Sequence, residues 1–280
     1  LMGKIDLPTH ISTSFRFIAS ISTFDYYKKD KLFSRNDKPS FNSKDERFVK
    51  LMVALPFLAN KRAEFSLGYG QLEDNYFQSS VIDFDKDRSD RSTYKLLGGS
   101  IGFYGSTLNT RQYATKGYLE KLIAQVFTGR ERFEPGNPQE RQSWLQISYM
   151  KEAYHTMGPK FTLGWMAEAL YSSKNFSENY TATMMQAGEF APTPHSKLMY
   201  NEAFRANQYV AAGIKPIYVL NDMFQFRTEF YGFTPIFPIK KNALNKAYYG
   251  KAFSRFEYMG EVSVICHLPF GAISAYVNHY

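Results

Sequence analysis

The 280-residue sequence predicts an all-β fold of long antiparallel strands, and three observations carry that expectation. Apolar and polar residues alternate in run after run. Aromatic residues make up 17% of the chain, with 25 Phe and 21 Tyr, while the mean hydropathy stays negative at −0.39. The runs are joined in turn by tight links and by long polar stretches. So many rings in a chain that is not apolar on average suit strands with one apolar and one polar face. A membrane-spanning barrel with a polar lumen and a soluble sandwich or lipocalin-like barrel both accommodate that pattern.

Taken in order, residues 11–24 set Ile11, Phe15, Phe17, Ala19 and Ile21 against Ser12, Ser14, Arg16, Ser20 and Ser22, since successive strand side chains point to opposite faces. After a polar loop at 28–45, residues 48–57 set Val49, Leu51, Val53, Leu55 and Phe57 against Lys50, Met52, Ala54 and Pro56. A turn at Asn60-Lys61 leads to Phe65, Leu67 and Tyr69. The charge run at 83–92 mixes acids with bases and lacks the glycine and closing glutamate of a calcium loop, so it reads as solvated. Further strands are expected at 94–104, 118–128, 143–154 and 161–171, the last two joined through Thr156-Met157-Gly158-Pro159. Residues 172–206 carry no sustained period and two prolines, and read as one long functional loop. Strands resume at 210–220 and 223–231, then at 259–268 and 271–280 around Leu268-Pro269-Phe270-Gly271. That makes about eleven strands, several longer than soluble sheets usually hold. The polar positions Arg16, Lys50, Gln125, Gln146, Glu168, Gln225, Arg227, Glu229 and Glu261 suit a water-filled lumen.

The net charge is +8, but Arg16, Lys50, Lys95, Lys121, Lys151, Lys215 and Arg227 are scattered, on the polar sides of strand-like runs or in loops. No basic-aromatic stripe forms, so no nucleic acid is expected as a partner. The single cysteine, Cys266, excludes an internal disulfide, and the five histidines lack ligand spacing; no metal or cofactor is expected. The first ten residues do not read as a signal peptide, which leaves a membrane address to a segment preceding Leu1. Gly98-Gly99-Ser100-Ile101-Gly102 matches a nucleophile elbow literally, but it lies within a strand pattern, no helical period follows, and the chain has no Asp-Gly pair of the kind patatin hydrolases use. No catalytic residue is expected. The sequons at Asn175 and Asn179 are read as incidental.

Two motifs carry a family resemblance. Phe204-Arg205-Ala206-Asn207, followed by a strand pair, resembles the Val-Arg-Gly-Phe/Tyr loop tip of the surface-antigen superfamily of outer-membrane assembly factors and transporters. The run from Gly260 to Val264 and on through Leu268-Pro269-Phe270-Gly271-Ala272-Ile273 resembles its Gly-rich strand and following turn. The branch most similar is the one fused to patatin-like phospholipases in Gram-negative bacteria. Ala206 and Ala272 depart from the motif glycine and proline, and the Gly-rich strand lacks its usual arginine.

The resemblance implies an antiparallel transmembrane β-barrel of about sixteen strands when complete, of which residues 1–280 are a part. It implies a bacterial outer-membrane location, with membrane lipid and outer-membrane proteins as partners. A hydrolase domain is expected before Leu1, which the barrel anchors and helps translocate. A passive porin-like channel and a soluble lipid-binding β-barrel are the alternatives. The resemblance also implies a long loop folded into the lumen. There Arg205 needs an acidic partner, because a guanidinium fork locks a loop better than an ammonium. Glu229 and Glu261, on polar faces of late strands, are the candidates.

Overall fold

The computed structural model describes residues 2–7, 13–26, 42–78, 88–136, 139–269 and 271–280. Ile11, Phe270, residues 28–41 of the first polar loop and 83–87 of the charge run lie outside them. Twelve strands form one sheet: β1 (Met2–Leu7), β2 (Thr13–Tyr26), β3 (Asn42–Leu58), β4 (Lys61–Tyr76), β5 (Asp90–Ser106), β6 (Gly117–Glu134), β7 (Gln139–Thr156), β8 (Phe161–Ser172), β11 (Gln208–Val219), β12 (Phe224–Pro235), β15 (Glu257–Leu268) and β16 (Gly271–His279). Every neighbour is antiparallel and next along the chain, apart from two long excursions. The first, after β8, holds helix α1 (Tyr180–Gln186) and the short pair β9 (Gly188–Glu189) and β10 (Arg205–Ala206). The second, after β12, holds the hairpin of β13 (Ile239–Lys241) and β14 (Ala247–Tyr249).

The strand expected at 11–24 pairs with one the sequence reading missed, β1. Residues 107–116 form a turn in which Tyr113 takes a positive φ of 56°, and β13 and β14 form a separate two-stranded sheet. Short turns after β3, β7, β11 and β15 all fall at one end of the sheet, and both long excursions fall at the other.

Alternation sorts the wall cleanly. A register row Phe17, Leu51, Leu67, Gly99, Val126, Leu145 runs across six strands, and its large members are exposed on the outer face. The neighbouring inward row reads Arg16, Met52, Ser66, Ser100, Gln125, Gln146 and Ser172. Two bases assigned to the polar side face outward: Lys95 shares the parity of Leu97, and Lys151 that of Leu145 and Ile147. Both lie toward strand ends, beyond the apolar rows, where an outward lysine escapes apolar surroundings.

The buried core lies inside the curve of the sheet. Met166, Leu170, Tyr209, Ala211, Tyr231, Phe233 and Met259 from the wall pack against Phe190, Phe204 and Ala206 from the long loop. Curvature there uses glycine under aromatic cover. Gly164 pairs directly with Tyr154, and Gly213 with Tyr231. A Cβ on Gly213 would stand 2.2 Å from Tyr231 Cδ1 and 2.8 Å from the Phe230 carbonyl oxygen, so the ring fills the space that a side chain would take.

Gly213→Ala is therefore predicted to lower unfolding stability by about 1–3 kcal/mol through overpacking. Gly158→Ala, at a turn with nothing within 4 Å, should change it by less than about 0.5 kcal/mol. Equal denaturant midpoints for the two variants would refute the role given to Tyr231.

Candidate functional site

The site is the lumen and the chain segment that fills it. After Ser172 the loop turns back between the walls. Helix α1 starts there because Asn179 caps it: Asn179 Oδ1 accepts from the Ala182 amide at 2.8 Å, and its Nδ2 donates to Tyr76 Oη at 2.9 Å. An Asx cap satisfies an amide that a helix start otherwise leaves open, and here it also pins the helix to β4. Buried as it is, Asn179 offers no accessible glycosylation acceptor. Ala182 and Met185 of the helix pack with Tyr76, Phe133 and Tyr200. Farther along, His195 reaches the opposite side, where Tyr280 Oη lies 2.7 Å and Asn278 Nδ2 2.8 Å from its Nδ1. The loop thus spans from β4 to β16.

Arg205 sits at its centre and is only 5% exposed. Its Nη2 lies 2.8 Å from Glu189 Oε2, its Nη1 donates to the Met185 carbonyl at 3.0 Å, and its guanidinium lies 4.9 Å from the centre of the Tyr200 ring. The carboxylate it meets is not one of the two expected. Arg205 stands directly opposite Glu189 in the β9–β10 pair, so two residues of local strand supply the partner before any wall residue can reach. Burial raises the Glu189 pKa and the Arg205 charge holds it back. Glu229 pairs instead with Arg227, two residues away on its own strand, at 3.0 Å, and accepts from the Tyr231 hydroxyl. Glu261 lies across from Glu229 in register, with Oε2 lacking a hydrogen-bond partner.

Above Arg205 a cavity of about 470 Å³ opens between the loop and β3–β7, lined by Asn42, Asp74, Tyr94, Trp144 and Lys174 among others. Lys174 Nζ lies 4.4 Å from the centre of the Tyr94 ring and 4.8 Å from that of Trp144, a double cation–π seat. It donates to Gln186 Oε1 at 2.9 Å. Burial lowers its pKa to about 8, against the pull of Glu131 and Asp74.

Below, charged and aromatic wall residues link the core to the opposite end. Lys215 Nζ lies 3.2 Å from Glu152 Oε1, and Tyr154 donates to Glu152. Arg227 donates to Tyr154 Oη at 3.1 Å and to the Ala114 carbonyl at 3.0 Å. Ala114 belongs to the 107–116 turn, which enters the lumen from the short-turn end and packs on Tyr154 and Ile217. Tyr113 Oη donates to Ser274 Oγ at 2.7 Å, closing the turn onto β16. The lumen is thus occupied from both ends.

Ser100 faces inward from the middle of β5, 2.6 Å from Ser66 Oγ, with no histidine or carboxylate bonded to it and no helix following. Among the described residues no group of His, Cys, Asp or Glu could hold a metal ion.

A long-stranded antiparallel wall, apolar outside and lined inside by its own loop, has the architecture of part of a β-barrel; among the described residues no pairing joins β1 to β16. No family model matches the sequence, and no curated protein matches it. The chain is similar in fold to the crystal structure of BamA from Haemophilus ducreyi lacking POTRA domains 1-3, at TM-score 0.58 and 13% identity. The likeness covers 99% of this chain and 57% of that one. The chain is thus an antiparallel β-sheet protein of the BamA-barrel kind in its fold.

Two predictions test the seat of the loop. Removing one partner of a buried ion pair costs about 3–5 kcal/mol, so Arg205→Ala should expose residues 173–207 to protease and lower the thermal midpoint. Arg205→Ala with wild-type proteolysis and melting would remove Arg205 as a lock. Because the folded pKa of Lys174 lies below its ordinary 10.5, the unfolded chain binds more protons between about pH 8 and 10.5, and stability rises with pH in that window. The wild-type thermal midpoint should therefore climb from pH 8 to 10 relative to Lys174→Met; parallel curves would contradict the buried, desolvated seat.

Proposed function

We propose that this chain is an outer-membrane β-barrel domain with a self-filled lumen, and that it anchors a hydrolase domain of the patatin-like phospholipase class and helps to translocate it or its product. The observation that carries the membrane reading is the outward register row of Phe17, Leu51, Leu67, Val126 and Leu145, set against an inward row of serine, glutamine and arginine. In a bilayer every backbone polar group must be paired within the protein, which strands meet through a ladder. Strands of up to 18 residues exceed the roughly 9–11 that cross a bilayer when tilted. Similarity to the BamA barrel supports the outer membrane as the setting. The hydrolase rests on the resemblance carried by Arg205 and Leu268-Pro269-Phe270-Gly271 alone, and the chemistry would lie outside these residues. Filling of the lumen by the loop and by the 107–116 turn favours an anchor over an open diffusion channel.

Refolding into lipid vesicles tests the membrane reading. Val126→Arg, at an outward position in the middle of β6 that is 59% exposed, should destabilise the inserted protein by about 2–4 kcal/mol, whereas Gln125→Arg, facing inward, should cost less. Equal costs, or a stable monomer in buffer without detergent, would reject it. In planar bilayers the wild-type chain should conduct little, and deletion of residues 176–204 should open a pore; steady wild-type conductance would instead favour the passive channel.

A further inference from the structure

The outward lysine that sequence reasoning placed on the wrong face is part of a built feature. At the short-turn end one register row reads Lys61, Gly105, Glu120, Lys151 on β4 to β7. The next row brings Tyr118, Ala153 and Trp165 together. Between the rows lies an outward depression of about 490 Å³, lined by Lys61, Tyr118, Glu120, Lys151, His155 and Trp165. Gly117 and Ala153 also line it. Gly105 beside it is buried, and a Cβ there would stand 3.4 Å from both Lys61 Cγ and Tyr118 Cε2, so the lysine stem and the tyrosine ring close over the glycine.

We propose that this depression binds the phosphate of an anionic phospholipid headgroup, an inference that rests on reading the outer wall as lipid-facing. The charges suit a phosphate. Among the described residues Lys61 Nζ has no hydrogen-bond or ion-pair partner. Lys151 Nζ is 3.8 Å from Glu120 Oε1, while that oxygen already accepts from Tyr149 Oη at 2.8 Å. Lysine stems lie along apolar surface and deliver the ammonium at the interface, where it binds phosphate as a point charge. The rings are held ready: Asn60 Nδ2 donates to Tyr118 Oη at 2.7 Å, and Trp165 Nε1 to His155 Nε2 at 3.4 Å. Tyrosine and tryptophan favour this depth because one end is apolar and the other wet. The adjoining row holds Phe103 and Leu122, both exposed. Acyl chains therefore continue from the headgroup onto apolar wall, which a free anion cannot use. Basic pockets at the membrane surface are the form that headgroup recognition takes.

The test is native mass spectrometry of the refolded chain, released from micelles doped with phosphatidylglycerol or phosphatidylcholine. Phosphatidylglycerol should be retained in preference by the wild type, and Lys61→Ala/Lys151→Ala should retain it roughly twenty-five-fold less, two lysines each contributing about fivefold near an anionic surface. Glu120→Gln, which keeps both lysines, should retain more than the wild type. Equal retention by wild type and double variant overturns the proposal, as does displacement by inorganic phosphate, which would mark a general anion site. If the chain inserts into vesicles and shows no headgroup preference, only the lipid site fails. If it inserts into neither composition, the barrel reading fails with it.

Discussion

The guanidinium of Arg205, held inside the curve of the sheet, constrains much of what surrounds it. A charge withdrawn from water requires a counter-charge and hydrogen bonds within reach. Glu189, the Met185 carbonyl and the Tyr200 ring supply them, and all three belong to the same loop. Arg205 is therefore neutralised from within the loop. What the wall adds is shape: Phe190 stacks on Phe233 at 5.9 Å between centroids and meets Tyr209 and Tyr231 edge-on. The Arg205 charge is settled inside the loop, while packing joins the loop to the sheet.

That division inverts the usual plan of a globular protein. Many large apolar residues of the sheet face outward, and the interior of the curve is polar except where Met166, Leu170, Phe233 and Met259 of the wall meet Phe190 and Phe204 of the loop. Polar wall residues not met by the loop find one another. Lys215 with Glu152 and Arg227 with Glu229 carry a band of paired charge from the core toward Ala114 and the far turn, with Tyr154 shared between the two pairs. In such a band every group depends on its neighbours, so removing one leaves another buried and unmatched.

The wall was legible in the sequence because its two faces are written with period two. Phe224, Phe226 and Phe230 against Gln225, Arg227 and Glu229 needed no tertiary information, and the hairpin around Leu268-Pro269 was found from both sides. Strand β1 escaped because Met2-Gly3-Lys4-Ile5-Asp6-Leu7 is short and holds a glycine and two charges. The orientations of Lys95 and Lys151 were misread because composition alone does not say where along a strand the apolar belt stops. Arg205 was found from a motif, but its partner was not. Glu189 lies in an aperiodic stretch whose two-residue strand leaves no pattern, and the pairing of Gly188-Glu189 with Arg205-Ala206 is a fact of tertiary folding. The seat of Lys174 between Tyr94 and Trp144 joins three distant segments and had no local signature.

The chain has two tryptophans, and the wall separates them. Trp144 is buried inside, stacked on Phe127 at 5.1 Å and facing Lys174 across 4.8 Å. Trp165 stands on the outer rim beside His155. A departure of the loop takes the ammonium from the first indole and leaves the second untouched, while a quencher confined to the outer face of the sheet reaches the second and is screened from the first. The fold therefore carries two optical reporters, one of its plug and one of its surroundings, with no label added.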